Sequence, residues 1–231
     1  MPPNDSKPVS GLPAAVIFDM DGVLVDSNPF HLEKWTDFLT RHQVKFNPHE
    51  LPHLILGQHN DTALRNFFGE SLNEDDMSRL GEELEETFRQ TFKAHAKPLA
   101  GLEAFVKSLK AAGIPMAVAS SAMMKNVQFV VDALGFHDYF SLYVSGDDVL
   151  HPKPDPEIYL KATHELGFKP ETCVAFEDSF VGIESAKRAG LKCVGVASSF
   201  SFDALQAQTH ADLVIHSFKE ITVERVRELF V

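Results

Sequence analysis

Short apolar runs recur along the chain at 16–19, 116–120, 142–145, 173–177, 193–197 and 213–216, and their length and bounding polar residues predict β-strands. Between them, apolar residues fall at helical spacing over 101–112, 126–134, 156–166, 181–189 and 203–208. Several of these segments are followed by a glycine, Gly113, Gly135, Gly167 or Gly190, the residue that most readily closes a helix. Strands alternating with helices predict an α/β protein with a Rossmann-like, doubly wound parallel sheet.

One interval breaks the alternation. Roughly a hundred residues separate Asp21 from the second strand-like run, where a crossover takes about a dozen. The interval itself reads as helical. Leu32, Trp35 and Leu39 mark a helix over 29–42, a second short helix covers 61–68, and Met77, Leu80, Leu84, Phe88 and Phe92 form an i, i+3, i+4 stripe. We therefore expect an all-helical cap over 29–96 inserted into a core made of 14–28 and 97–231, with a frayed segment at 1–13. The junctions at 26–29 and 95–101 both contain proline and are short enough to act as a paired hinge.

Composition narrows the functional classes. With 231 residues and 44% hydrophobic content, the chain can bury a substantial core. Its 21 Lys and Arg against 33 Asp and Glu give a formal charge of −12, so a nucleic-acid backbone meets a repulsive average field and no nucleic-acid partner is expected. No apolar run approaches the roughly 20 residues that span a bilayer, and 1–12 lacks a signal-peptide core. A cytoplasmic protein with no membrane partner is the expectation, with a monomer as the default state. Cys173 and Cys193 lie in strand-like segments and read as core residues, without disulfide or zinc spacing.

Candidate chemistry sits where strands end, the edge at which open α/β sheets bind ligands. Asp19 and Asp21 follow the first run and lie two apart, so in extended backbone their side chains face one way, while Gly22 lets the chain turn behind them. Such a pair suggests phosphoryl transfer. Ser120 and Ser121 end the second strand, Lys153 follows the third, and Glu177 and Asp178 end the fourth. Taken singly, the serines also read as a helix cap, Lys153 as a solvated turn residue, and Glu177 with Asp178 as charges at a helix start.

Taken together and in order, FDMDGVLVDS (18–27), AVASS (117–121), KPDPEIY (153–159) and FEDSFVGIESAKRAG (176–190) resemble the haloacid dehalogenase-like superfamily, and within it the β-phosphoglucomutase and sugar-phosphatase branch. The resemblance extends from Ala14 onward. It implies a nucleophilic Asp19 that forms an aspartyl-phosphate, and Asp21 as the general acid and base of both half-reactions. It also implies Mg²⁺ held by the Asp19 side chain, the Asp21 backbone carbonyl and Asp178, with Glu177 behind them. Lys153 and Ser120 would clamp the phosphoryl oxygens, helped by Ser121. His31 and Trp35, one helical turn apart, would lie beside a small phosphorylated metabolite; a surface position for His31 and core packing for Trp35 are the alternatives. His42, His49, His53 and His59 are expected to face solvent.

The sequence departs from the mutases in the cap. After Gly57, where they carry an arginine for the distal phosphate of a bisphosphate, this chain has Asn60, and a further cap lysine of the branch aligns with Leu84. Without those cations water should receive the phosphoryl group, which ranks a phosphatase above a mutase. Dehalogenation would leave Asp21 and Asp178 unexplained. Phosphonate hydrolysis would need a buried cap lysine, and nothing in the sequence marks Lys34 or Lys45 as one. A non-catalytic protein on this fold would tend to lose a member of a set that is complete here. The cap offers no charged landmark that names the substrate.

Overall fold

A computed structural model describes residues 13–69 and 72–231 of the chain. The frayed segment expected at 1–13 lies outside the described residues except for Pro13. Six strands form one sheet: β1 (Ala15–Phe18), β2 (Met116–Ala119), β3 (Leu142–Val144), β4 (Cys173–Glu177), β5 (Lys192–Val196) and β6 (Leu213–Ile215). Their order is β3-β2-β1-β4-β5-β6 and every pair is parallel. The order reverses at β1, which places the switch point of the doubly wound sheet beside Asp19.

The helices are α1 (Asn28–Arg41), α2 (Leu51–Ile55), α3 (Asn60–Phe68), α4 (Glu74–Phe92), α5 (Leu102–Ala111), α6 (Met124–Leu134), α7 (Glu157–Leu166), α8 (Phe180–Arg188), α9 (Phe202–Gln208) and α10 (Val223–Arg227). Strand alternation sorts the core into two layers. Val16, Phe18, Met116, Val118, Val174, Phe176, Val194 and Val196 pack with α5, α6 and α10. Ala15, Ile17, Ala117, Ala119, Cys173, Ala175 and Cys193 pack with α7, α8 and α9. The first layer is bulky, with Phe18 stacked on Phe176 at 5.2 Å and Phe105 edge-on to Phe176 at 5.3 Å. The second is lined by small side chains, so its helices approach the sheet closely. Both cysteines are free and buried there.

Helices α1 to α4 occupy the long interval and share a separate apolar cluster of Trp35, Phe38, Leu39, Leu51, Ile55, Leu56, Ala63, Leu64, Met77, Leu80 and Leu84. The stripe of α4 divides between two cores: Phe88 and Phe92 pack into the bulky layer of the sheet rather than into the cap cluster. The connections into and out of this helical insertion lie side by side, with the Leu99 amide donating to the Leu24 carbonyl at 3.2 Å and Val25 bridging Pro98. Helices α2 and α10 were not expected from the sequence, since five residues each are too few to display a period. Among the described residues no helix is long and apolar enough to cross a membrane.

Phe105 is 3% exposed and contacts Phe18, Phe176 and Phe218. Phe105→Ala should therefore lower stability by about 3–5 kcal/mol in chemical denaturation, the range for deleting a fully packed aromatic ring. A loss below about 1 kcal/mol would show that α5 closes over the gap.

Candidate active site

Asp19 lies one residue beyond β1 and its amide donates to the Phe176 carbonyl at 3.0 Å, so the strand ladder carries the backbone of Asp19 up to its position. Ser120 lies one residue beyond β2 and donates its amide to the Val144 carbonyl at 3.0 Å. Glu177 is the last residue of β4 and Asp178 follows it. Thus the strand ends bring Asp19, Ser120, Glu177 and Asp178 to one edge, as the sequence placed them.

Lys153 reaches this edge from the loop after β3 and is 2% exposed. Its ammonium donates to Asp19 Oδ1 at 2.7 Å, Glu177 Oε1 at 2.6 Å and the Ala119 carbonyl at 3.1 Å, which uses all three of its protons. Burial alone would favour the neutral amine, but the carboxylates of Asp19 and Glu177 outweigh it and raise the pKa. Lys153 is therefore a buried, charged member of the site, and the solvated-turn alternative is excluded.

Glu177 holds Lys153 from behind. Its Oε1 also accepts from the Tyr159 hydroxyl at 2.6 Å, while Oε2 accepts from the Asp178 amide at 3.3 Å and the Ser179 hydroxyl at 3.4 Å. Gly182 makes this possible: a Cβ there would fall 2.0 Å from Glu177 Oε2, so only glycine lets the first turn of α8 close onto the carboxylate. Ser179 caps that helix by accepting from the Gly182 amide at 3.1 Å.

Asp178 Oδ2 accepts from Asn28 Nδ2 at 2.8 Å and from the Ser199 hydroxyl. Gly22, at φ +75°, passes so close that a Cβ would lie 1.9 Å from the same oxygen. Any other residue here would displace Asp178 as well as strain the turn. Ligating atoms of Asp19, Glu177 and Asp178 lie within 4.8 Å of one another, and all three residues are buried. Burial, reinforced by the fields of Glu177 and Asp178, pushes the Asp19 carboxyl well above its ordinary range against the pull of Lys153. Burial and the neighbouring Glu177 push Asp178 up to about 8. Three buried carboxylates against one ammonium leave the site short of positive charge, and their hard oxygen donors suit a divalent cation.

Asp21 stands apart from that cluster. Its Oδ1 accepts from the Ser27 hydroxyl and lies 3.1 Å from His31 Nε2, whose ring stacks on Phe88 at 4.4 Å. Burial opposes its ionisation, yet His31 and Ser27 together lower its pKa from the usual carboxylate value. A half-buried His31 joined to Asp21 excludes the surface alternative for this residue.

Asp19, Asp21, Ser120 and Ser121 line a cavity of about 320 Å³ that His31, Trp35, Gly57 and Asn60 also line from the cap. Trp35 packs in the core of the cap, 2% exposed within the cap cluster, and also borders the cavity. The Ser121 hydroxyl donates to the Gly57 carbonyl at 3.0 Å, tying cap to core. Asn60 donates to Glu85 Oε1 at 2.7 Å.

Several expectations for the cap need correction. His59 does not simply face solvent; it borders the cavity and packs so closely on Gly146 that a Cβ there would meet its ring at 2.7 Å. His42 is half-buried against Phe38, whereas His49 and His53 are exposed as expected, His53 with its ring 5.0 Å from that of Phe200. Leu84 is buried in the cap cluster, whereas the neighbouring Glu85 borders the cavity at 4% exposure, so the cap does carry a charged landmark. Lys34 is buried, with its ammonium 3.3 Å from Glu85 Oε1. That ion pair, and its absence from the cavity lining, remove it as a free amine for a Schiff base.

Ser27, Asn28, Tyr159, Ser199 and Glu85 went unassigned in the sequence. Ser27 and Tyr159 fall inside the quoted motifs, and Ser199 belongs to a serine-rich run just past β5, a signal comparable to that of Ser120 and Ser121. Glu85 sits in the acidic run Glu82-Glu83-Leu84-Glu85-Glu86, where nothing distinguishes it from its exposed neighbours.

A model of the haloacid dehalogenase-like hydrolase family matches residues 16–196. The phosphorylated carbohydrates phosphatase of Thermotoga maritima is 35% identical over 200 residues, covering 81% of this chain and 87% of that protein. The chloroplastic 5-amino-6-(5-phospho-D-ribitylamino)uracil phosphatase of Arabidopsis thaliana is 29% identical over 214 residues, 92% of this chain but 57% of the relative's length. Among solved structures, β-phosphoglucomutase from Clostridium difficile superposes with a TM-score of 0.84 at 24% identity, covering 95% of this chain and 97% of that one, a likeness of fold. With the strand-end constellation and the family match in agreement, the chain belongs to the haloacid dehalogenase-like hydrolases, with sugar phosphatases among its relatives.

Proposed function

We propose that this protein is a Mg²⁺-dependent phosphatase that hydrolyses a small phosphorylated metabolite, a sugar or polyol monophosphate, through an aspartyl-phosphate on Asp19. The observation that carries the reading is the Asp19 carboxylate, held by Lys153 and bordering the cavity between core and cap, with Asp21 two residues away and oriented by Ser27 and His31.

Asp19 is the nucleophile: it forms a bond to phosphorus as the ester oxygen departs. The approaching phosphate dianion raises the proton affinity of Asp21, which takes up a proton with the substrate, gives it to the departing oxygen and then takes one from the water that cleaves the acyl phosphate, so one carboxyl serves both steps. His31 and Ser27 keep it aimed. Lys153 orients Asp19 and offsets charge beside it, while Ser120 and Ser121 border the space for the phosphoryl oxygens. Asp19 and Asp178, with the Asp21 carbonyl, would hold the metal, which supplies charge neutralisation for an anionic nucleophile approaching an anionic substrate. Glu177, both of whose oxygens are engaged, acts by fixing Lys153.

The reading includes a cap of 29–96 that moves on the paired connections at 26–29 and 95–101 to admit substrate, and a monomer in the cytoplasm. A phosphatase is preferred to a mutase because a mutase must grip whichever phosphate is distal. Asn60 is engaged with Glu85, and among the described residues no lysine or arginine borders the cavity.

Asp19→Asn should reduce phosphate release by at least about a thousandfold while leaving the melting temperature undiminished, since an amide cannot form the acyl phosphate. Residual turnover above that level would remove Asp19 from the nucleophile role. Chelation should abolish hydrolysis of a panel of phosphorylated sugars and polyols, and added Mg²⁺ should restore it; full activity in chelator would contradict the metal assignment. Phosphorus NMR of glucose 1-phosphate with a bisphosphate primer should show inorganic phosphate accumulating faster than glucose 6-phosphate. The reverse order would establish a mutase.

A further inference from the structure

Glu85 is the cap residue whose chemistry the phosphatase reading leaves unused. It lies on α4, 4% exposed, and borders the same cavity as Asp19. Its Oε1 accepts from Lys34 on α1 at 3.3 Å and from Asn60 on α3 at 2.7 Å, and its Oε2 accepts from Asn126 on α6. The carboxylate thus joins three cap helices to a core helix. Such a group has about four acceptor positions, of which these contacts use three. Burial favours its neutral form, but Lys34, His31, Asn60 and Asn126 outweigh burial and lower its pKa, so it stays ionised. Lys34, the compensating cation, does not border the cavity; Glu85 does.

The cavity wall around it is rich in carboxylates, with His31 and His59 as the imidazoles among them. Asp61, Glu82 and Asp147 also border the space, and among the described residues no lysine or arginine does. An incoming group with hydroxyls can donate to the remaining acceptor position of Glu85 in a charge-assisted hydrogen bond. A second phosphate, carrying about −1.5 to −2 charges, would instead meet a carboxylate whose remaining acceptor position offers it no hydrogen.

We propose that Glu85 is the specificity-determining residue of this cavity, accepting hydroxyl hydrogens from the unphosphorylated end of the substrate and rejecting substrates that carry a second phosphate there. The substrate class is then a monophosphate with an uncharged, hydroxyl-rich tail. This rests on the phosphatase reading for the orientation of the substrate, with its phosphate at Asp19 and its tail toward the cap.

The test is calorimetric binding to the full chain carrying Asp19→Asn, with Mg²⁺ present, so that affinity is read without turnover. Fructose 1-phosphate and fructose 1,6-bisphosphate form the matched pair, differing in a hydroxyl against a phosphate at the far end. The monophosphate should bind at least about tenfold more tightly, and adding Glu85→Gln should tighten the bisphosphate and weaken the monophosphate so that the ratio falls at least about tenfold. Because Glu85→Gln leaves Lys34 buried without its partner, the paired Lys34→Met/Glu85→Gln variant is measured beside it and should show the same fall. Equal affinities in the Asp19→Asn protein would overturn the proposal. So would an unchanged ratio in the paired variant, including the case in which only the single variant changes, since the unpaired Lys34 would then be the cause. Phosphate release from p-nitrophenyl phosphate by the unmodified protein, which has neither a hydroxyl tail nor a second phosphate, separates failure of the phosphatase reading from failure of the Glu85 assignment.

Discussion

The contact between Lys153 and the carboxylates of Asp19 and Glu177 is the interaction on which the rest of the site depends. An ammonium and three carboxylates are expensive to desolvate, and the cost is offset by donors that meet Asp19 Oδ1, both Glu177 oxygens and Asp178 Oδ2. Glu177 is held by Lys153, Tyr159, Ser179 and the Asp178 amide, and Asp178 by Asn28 and Ser199. The residual negative charge is what raises Asp19 and Asp178 and what makes the cluster a fit for a divalent cation.

Backbone geometry sets how closely these charges can approach. Gly22 and Gly182 occupy the two places where a Cβ would collide with Asp178 and Glu177. One lets the turn after β1 lie against the fourth strand, and the other lets α8 begin directly above Glu177. Behind them the sheet provides rigidity through unequal layers, bulky phenylalanines on one face and alanines and cysteines on the other. The small-residue layer brings α7 and α8 near the sheet, which is how Tyr159 reaches Glu177 from α7.

The cap connects to this base through Phe88 and Phe92, which pack into the bulky layer of the sheet, and through a set of polar contacts. Ser121 donates to Gly57, Asn126 donates to Glu85, and Arg89 donates to Asn126 at 3.0 Å. Polar contacts of this kind can exchange with water when an interface opens, whereas the apolar cap cluster remains intact within the insertion. His31 belongs to both regions, lying on a cap helix, stacking on Phe88 and meeting Asp21, so the position of the cap and the orientation of the Asp21 carboxyl are mechanically linked.

The sequence by itself determined the alternating strands and helices, the parallel sheet, the helical insertion, the residues Asp19, Asp21, Ser120, Glu177 and Asp178 at or just past strand ends, and Lys153 in the loop after the third strand. These were legible because strand periodicity and motif order are local properties, and a residue at the end of a parallel strand can point to little besides the ligand edge. Only the tertiary structure decided the partners that reach the site from elsewhere: Asn28 and Ser199 on Asp178, His59 over Gly146, and Lys34 with Glu85. It also divided the α4 stripe, assigning Phe88 and Phe92 to the sheet core and Met77, Leu80 and Leu84 to the cap. Glu85 shows why such facts escape a linear reading. In sequence it is one acid among four in a solvated helix run; its burial, its charge and its place in the cavity come from α1, α3 and α6 converging on it, and helical periodicity carries no information about which helices pack together.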